Sequence, residues 1–271
     1  MKNNSSERNI LLDFYPGEQT AVILAQPSNA TNKIVLLIHG FMSNKDSETN
    51  LELTKRLIAK GIATVRLDMF GHGKSDGLFQ QLTLSRCLHQ VEGLIAWIQE
   101  NGYEEIGLVG SSLGGLIAIH TAEKHPELVS IALKCPVSSY PVLWESRLGK
   151  GGMAHWEKEG IFSFIFDDQK ARLEYGFYED LLKFNTYADA ARIKTPTLIV
   201  HGDADDDVPV DQSIRLFDTL RIARPLKELV LISGADHGFE KPEDFKQMID
   251  KIEDWILSYI TEKGKCPRSD I

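Results

Sequence analysis

The chain has 271 residues, of which 42% are hydrophobic and 25% are charged, as is usual for a globular protein. Its formal net charge of −9 argues against nucleic-acid binding and against docking on anionic lipid, because both depend on clustered Lys and Arg. The three cysteines, Cys87, Cys135 and Cys266, are too few and too widely spaced for a disulfide framework or a C-x-x-C metal site. We therefore expect unpaired thiols in a reducing compartment and no bound metal.

The sequence contains no segment typical of targeting or of membrane insertion. The polar start MKNNSSERN lacks the apolar core of a signal peptide. No apolar run approaches the roughly 20 residues that a membrane span needs. These features predict a cytoplasmic protein without stable membrane insertion, and the last residues, GKCPRSDI, are predicted to form a frayed tail.

Segments typical of strands alternate with segments typical of helices along most of the chain. Short apolar, β-branched runs predict strands at residues 10–14, 20–24, 34–38, 62–67, 106–109, 128–133, 197–200 and 227–232. Apolar residues at helical spacing predict helices at residues 46–61, 83–101, 113–124, 211–220 and 242–260. This alternation predicts an α/β fold, with a mostly parallel central sheet flanked by helices.

The alternation is interrupted between residues 137 and 192. This segment is rich in aromatic side chains, and we identify no clean strand in it. We expect a helical insertion over the carboxyl edge of the sheet, where open α/β sheets bind their ligands. The core is then made of residues 1–136 and 193–271.

A candidate nucleophile lies in the stretch GSSLG, between a predicted strand and a predicted helix. Only Ser112 has a glycine two residues away on both sides, which fits the motif G-x-S-x-G. Glycines at these positions let the chain turn sharply and expose the serine above the sheet edge. The N–H of Leu113 would then open a helix, where it can face a developing oxyanion. We therefore expect Ser112, and not Ser111, to be the nucleophile.

A serine needs a base to attack at neutral pH, and His237 is the strongest candidate among the eight histidines. It lies in the loop GADHGF, after the last predicted strand and before the last helix. A loop at this place can present an imidazole at the carboxyl edge of the sheet. It also follows the serine and the acidic candidates in the order Ser, Asp, His.

The acid is expected in the stretch HGDADDDVP, which holds Asp203, Asp205, Asp206 and Asp207. One carboxylate would orient the histidine, and the others could cap the helix that follows. A calcium loop fits poorly, because the D-x-D-x-D-G spacing and its closing glutamate are missing. A solvated acidic loop is the other alternative, and the spacing alone does not choose among the four aspartates.

Together these stretches resemble the α/β-hydrolase superfamily over residues 20–260. The resemblance rests on five motifs, which are HGF at 39–41, DMFGHGKS at 68–75, the turn at Ser112, the stretch 202–209 and DHG at 236–238. It implies that Asp205 is the catalytic acid, that the Phe41 N–H is the second oxyanion donor, and that residues 137–192 form a cap between strands 6 and 7. The chain is most similar to serine aminopeptidase-like hydrolases, a group with bacterial cinnamoyl (feruloyl) esterases and monoacylglycerol lipases.

The resemblance implies a serine hydrolase that cleaves carboxylic esters through an acyl-enzyme, without a cofactor. We expect its partner to be a small-molecule ester with an aryl or medium-chain acyl group. The sequence does not decide whether the protein forms a homodimer. One alternative is an acyl thioesterase, and another is an aminopeptidase that holds an α-amine with a carboxylate of the insertion (Glu145, Glu157, Asp167 or Asp168). A non-catalytic binding protein is disfavoured, because a receptor needs no complete set of serine, acid and histidine.

Overall fold

The computed structural model describes residues 6–166 and 169–260. The predicted tail, with Cys266, and the candidate carboxylates Asp167 and Asp168 lie outside the described residues. The described strands are β1 Ser6–Tyr15, β2 Glu18–Gln26, β3 Lys33–Ile38, β4 Ala63–Leu67, β5 Glu105–Ser111, β6 Ser130–Lys134, β7 Ile161–Phe166, β8 Gln169–Glu174, β9 Thr197–Gly202 and β10 Lys227–Ile232. The described α-helices are α1 Glu48–Ala59, α2 Leu84–Glu100, α3 Leu113–Lys124, α4 Tyr140–Glu159, α5 Gly176–Leu181, α6 Thr186–Ala190, α7 Asp211–Thr219 and α8 Pro242–Ile260.

The central sheet has eight strands in the order β1-β2-β4-β3-β5-β6-β9-β10. The hairpin β1–β2 forms one edge, and β2 pairs with β4 antiparallel. The pairs from β4 to β10 are all parallel. This arrangement confirms the predicted mostly parallel sheet.

Helices cover both faces of the sheet, so its middle strands are buried on two sides. In β3 the residues from Ile34 to Ile38 have no exposed surface, which explains their unbroken apolar run. On one face, α1 and α8 pack through Leu53, Leu57 and Ile252. On the other face, α2 and α3 contribute the buried side chains of a second apolar cluster.

The parallel strands end at a common edge, and the loops that follow them carry the predicted site residues. The strand β5 leads to Ser112, β9 leads to Asp205, and β10 leads to His237. This placement follows from the parallel order of the sheet, since the carboxyl ends of parallel strands meet at one edge. The fold therefore brings Ser112 to the same edge as Asp205 and His237, which both follow it by more than ninety positions in the sequence.

The segment between β6 and β9 is mixed rather than purely helical. It contains the helices α4, α5 and α6, with an antiparallel hairpin of β7 and β8 between α4 and α5. In β7 the aromatic residues Phe162, Phe164 and Phe166 alternate with Ile161, Ser163 and Ile165, and this period of two is typical of a strand. This alternation is the local signal of the hairpin, and the abundance of aromatic residues alone does not reveal it.

Candidate active site

Ser112 lies at a sharp turn between β5 and α3, as the glycine pattern predicts. Its backbone is left-handed, with φ 53° and ψ −111°, which is strained for a serine. A Cβ on Gly110 would lie 2.2 Å from the carbonyl oxygen of Gly114, and a Cβ on Gly114 would lie 2.4 Å from that of Ile38. Both positions therefore require glycine. Ser111 and Ser112 both line one cavity, but Ser111 is the last residue of the strand β5.

His237 and Asp205 meet beside this turn. The Nδ1–H of His237 donates to Asp205 Oδ2 over 2.6 Å. The other carboxylate oxygen, Oδ1, accepts the backbone N–H groups of Asp207 and Val208 at 2.9 and 2.7 Å. Of the four aspartates in this loop, Asp205 is the one that contacts the histidine.

The environment of Asp205 favours the carboxylate form. Burial alone would raise its pKa, but hydrogen bonds from His201 and His237 outweigh burial and hold the pKa below its usual range. The second histidine, His201, places Nε2 3.1 Å from Asp205 Oδ2. Asp205 is therefore an ionised acceptor shared by two imidazole rings.

The remaining aspartates of the loop do not cap α7, contrary to the expectation from the sequence. The residue before that helix is Val210, which has no side-chain cap. Asp203 instead accepts the N–H of Gly234 at 2.6 Å. Asp207 pairs with Arg147 of α4 at 3.1 Å. Asp203 thus connects two loops and Asp207 connects its loop to α4, and neither starts a helix.

Tyr140 is a site residue that the sequence analysis did not identify. Its side chain is buried and lines the same cavity as Ser112. Burial raises the pKa of Tyr140, so the hydroxyl stays protonated and can donate. Among the described residues, no hydrogen bond joins Ser112 Oγ to His237 Nε2, although both residues line the same cavity. The only sequence signal for Tyr140 is its position just after β6, at the edge where the site lies.

The two predicted oxyanion donors both lie next to the serine. Leu113 begins α3, and its N–H donates to no backbone carbonyl among the described residues. Phe41 follows Gly40, and a Cβ on Gly40 would lie 3.3 Å from Ser112 Cβ. This loop therefore passes directly against the serine.

Two buried histidines hold the loop of Phe41 in place. His39 Nε2 accepts the N–H of Met69 at 3.0 Å, and His72 Nε2 accepts the N–H of Met42 at 3.2 Å. Burial, reinforced by the neighbouring His72, lowers the pKa of His39 to about 3, so this ring stays neutral. The stretch 68–75 thus supports the loop of Phe41.

A cavity of about 450 Å³ opens onto Ser112 and His237. One wall is apolar and comes mainly from the segment between β6 and β9, with Tyr140, Leu143, Trp144, Leu148, Phe162, Phe164 and Phe166. The lining also includes polar residues, which are Ser43, Ser47, Thr49, Lys134, Arg147 and Asp207. Other aromatic residues of the segment, such as Trp156 and Phe177, pack in its core. The aromatic side chains of the segment are therefore divided between the core and the cavity.

Backbone strain is concentrated around this cavity. The non-glycine residues with positive φ in the described part of the chain are Met42, Ser112, Cys135 and Phe239. Met42 follows Phe41, and Phe239 lies two residues after His237. Cys135 lies beside Asp205, with the Cys135, His201 and Asp205 ligand atoms within 4.8 Å of one another. Strained backbone of this kind is frequent at functional sites.

The cluster of Cys135, His201 and Asp205 is the one place in the described chain where three potential metal ligands meet. Its chemistry is poorly suited to an ion. Burial raises the pKa of the Cys135 thiol to about 12, whereas a metal needs the thiolate. Asp205 is already bound by His237 and by two backbone N–H groups.

The fold and the arrangement of Ser112, His237 and Asp205 define an α/β-hydrolase. The sequence of residues 57–263 matches the prolyl oligopeptidase family (Peptidase_S9). The chain therefore belongs to the prolyl oligopeptidase family.

Relatives and solved structures are hydrolases of several kinds. The chain is 26% identical over 245 residues to the mitochondrial palmitoyl-protein thioesterase ABHD10 of Rattus norvegicus, covering 85% of this chain and 78% of that protein. It is 26% identical over 261 residues to a monoacylglycerol lipase of Mycolicibacterium smegmatis, covering 86% and 91%. The structure of Est1E from Butyrivibrio proteoclasticus with bound ferulic acid superposes with a TM-score of 0.81 at 23% identity, covering 93% of this chain and 100% of that one. These comparisons place the protein among α/β-hydrolase esterases, lipases and thioesterases.

No helix in residues 6–166 and 169–260 is both long and apolar enough to cross a bilayer.

Proposed function

We propose that the protein is a serine hydrolase that cleaves carboxylic esters through an acyl-enzyme. The observation that carries this proposal is the contact between His237 and the ionised, buried Asp205 beside a serine at a strained turn. A histidine held in this way presents Nε2 toward the cavity, where it can take a proton from Ser112. A cytoplasmic location stays a prediction.

The reaction would proceed in two similar halves. Ser112 Oγ attacks the carbonyl carbon while His237 takes the hydroxyl proton, and Asp205 stabilises the imidazolium that forms. The N–H groups of Phe41 and Leu113 bind the oxyanion of the tetrahedral intermediate. His237 then protonates the leaving alcohol, and a water molecule hydrolyses the acyl-enzyme by the same route.

The cavity suggests where the two parts of the substrate bind. Its aromatic wall suits an aryl or medium-chain acyl group, since such walls bury apolar surface. The hydroxyl groups of Ser43, Ser47 and Thr49 suit a polar alcohol. We therefore propose small aryl or medium-chain acyl esters as substrates.

An acyl thioester is the second candidate substrate. It is supported by the mammalian relatives, which are named palmitoyl-protein thioesterases and are 24–27% identical to this chain. The same serine, histidine and acid would serve, because only the leaving atom differs.

An aminopeptidase finds less support in the cavity. Asp207 is the carboxylate that lines it among the described residues, and Asp207 is paired with Arg147. Glu145 accepts the hydroxyl of Tyr178 at 2.6 Å and does not line the cavity. Among the described residues, no carboxylate that lines the cavity is therefore unpaired and available to hold the α-amine of a peptide.

A panel of matched acyl substrates tests the proposed function. The purified protein is assayed with p-nitrophenyl esters of increasing chain length, a feruloyl ester, acyl thioesters of the same chain lengths and an aminoacyl anilide. We expect turnover of esters with an optimum at aryl or medium-chain groups. Faster cleavage of thioesters at every length would favour the second candidate, and faster cleavage of the anilide would contradict both.

The hydroxyl of Tyr140 is expected to assist the reaction, because it stays protonated beside Ser112. Tyr140→Phe should lower kcat about 10-fold, with little change in KM, because one neutral hydrogen bond to the transition state is lost. Tyr187→Phe is the matched control, since the Tyr187 hydroxyl bonds to Ser138 and lies outside the cavity lining. Equal kcat values for Tyr140→Phe and the wild type would show that the hydroxyl only packs against the serine.

A further inference from the structure

His201 is a buried imidazole that the proposed mechanism does not use. It lies in β9, four residues before Asp205, and its side chain has no exposed surface. Its Nε2 is 3.0 Å from the carbonyl oxygen of Val208 and 3.1 Å from Asp205 Oδ2. Its Nδ1 is 2.6 Å from the hydroxyl oxygen of Ser213 in α7. Both ring nitrogens are therefore engaged, and one of them faces the candidate catalytic acid.

These partners define the tautomer of His201. A carbonyl oxygen and an ionised carboxylate only accept hydrogen bonds, so Nε2 must carry a hydrogen atom. Ser213 is fully buried, and its hydroxyl hydrogen needs an acceptor. The unprotonated Nδ1 of a neutral ring provides that acceptor. A doubly protonated ring would leave the Ser213 hydrogen without this partner.

The result is a continuous chain of polar contacts that ends at the candidate base. Ser213 donates to His201 Nδ1, and His201 Nε2–H donates to the Val208 carbonyl oxygen and lies 3.1 Å from Asp205 Oδ2. His237 donates to the same Asp205 oxygen. The second oxygen of Asp205 is held by two backbone N–H groups. The carboxylate cannot rotate without breaking several of these bonds, so the direction of its contact with His237 is fixed.

We propose that His201, held in its Nε2–H tautomer by Ser213, is a positioning residue that fixes the Asp205 carboxylate toward His237. The proposal rests on the proposed function, because it assigns a role within the same set of serine, histidine and acid. It predicts that the pair acts on the reactivity of Ser112 without contacting the substrate.

The rate at which a fluorophosphonate probe labels Ser112 tests this proposal without knowledge of the substrate. His201→Phe keeps a ring but removes the Nε2–H group that lies against Asp205 and Val208, and we expect labelling to slow on the order of 100-fold. His201→Gln places an amide N–H near the position of Nε2 and is expected to recover most of the rate. Ser213→Ala, which removes only the hydroxyl, is expected to give an intermediate rate.

A second buried histidine provides the matched control. His120 is 2% exposed, and its Nδ1 is 2.6 Å from Asp189, outside the cavity lining. His120→Phe therefore removes a buried imidazole of similar kind, and we expect its labelling rate to equal that of the wild type. Thermal melts of each variant verify folding, and the low-field proton resonance of the His237–Asp205 hydrogen bond is expected to move in His201→Phe alone.

The outcomes separate this proposal from the proposed function. A wild-type protein that does not react with the probe overturns the proposed function, and the positioning role with it. A reactive wild type with equally reactive His201→Phe and Ser213→Ala variants overturns the positioning role alone. The positioning role is also overturned if Ser112 is labelled as slowly in His201→Gln as in His201→Phe, because restoring an N–H group would then have no effect. If His201→Phe does not fold, the rates of His201→Gln and Ser213→Ala decide.

Discussion

Ser112→Ala is expected to abolish labelling by a fluorophosphonate and to lower kcat for the best acyl substrate by about 10⁴- to 10⁶-fold. The reason is that no other hydroxyl occupies the turn where the helix N-terminus, the Phe41 loop and His237 converge. Any remaining rate would come from binding and from the oxyanion donors. Intact-protein mass spectrometry after labelling, with steady-state kinetics, measures both effects.

Ser111→Ala is the control for this experiment. Ser111 is the neighbouring serine and lines the same cavity, but it lies in the strand and lacks the strained turn. Its replacement is expected to retain labelling. Labelling that persists in Ser112→Ala and disappears in Ser111→Ala would reverse the assignment of the nucleophile.

Asp205→Asn is expected to lower kcat about 10⁴-fold while leaving the fold intact. The amide has nearly the shape of the carboxylate, but it carries no charge to stabilise the imidazolium. The carboxylate accepts His237 Nδ1–H at one oxygen and two backbone N–H groups at the other, and His201 Nε2 lies 3.1 Å from the first oxygen. An amide has only one acceptor oxygen for these three donors, so His237 is expected to lose the tautomer that attack requires.

Asp206→Asn provides the comparison, because Asp206 is exposed and lies next to Asp205 in the same loop. We expect its kcat to stay within about twofold of the wild type, as is usual for an exposed residue away from the site. If Asp205→Asn hardly slowed turnover and Asp206→Asn abolished it, the acid would be wrongly assigned. Melting temperatures of both variants exclude a loss caused by unfolding.

Much of the fold could be predicted from the sequence because local patterns and tertiary burial agree in the core. Helix α8 spans Pro242–Ile260, the range that its apolar spacing predicts. The continuous apolar run of β3 likewise indicates a buried strand, and the glycines around Ser112 indicate a tightly packed turn. The order of the motifs then brings Ser112, Asp205 and His237 to one sheet edge.

Residues that depend on a distant partner could not be predicted in this way. His201 was one of several histidines that precede a glycine, and only the pairing of β9 with the loops around it reveals its contacts with Asp205 and Ser213. The role of Tyr140 depends on the tertiary fold, which brings it to the same cavity as Ser112. The division into a core of residues 1–136 and 193–271 and a cap of residues 137–192 stays a prediction.

The strained residues Met42, Ser112, Cys135 and Phe239 have a thermodynamic consequence for the whole protein. Each such backbone conformation costs on the order of 1–3 kcal/mol, whereas a domain is typically stable by only about 5–15 kcal/mol. Heat resistance and catalytic geometry therefore compete at this edge of the sheet. Selection for a higher melting temperature would have to act on the helices and loops elsewhere, because relaxing these four positions would loosen the serine, its oxyanion donors, the acid and the base together.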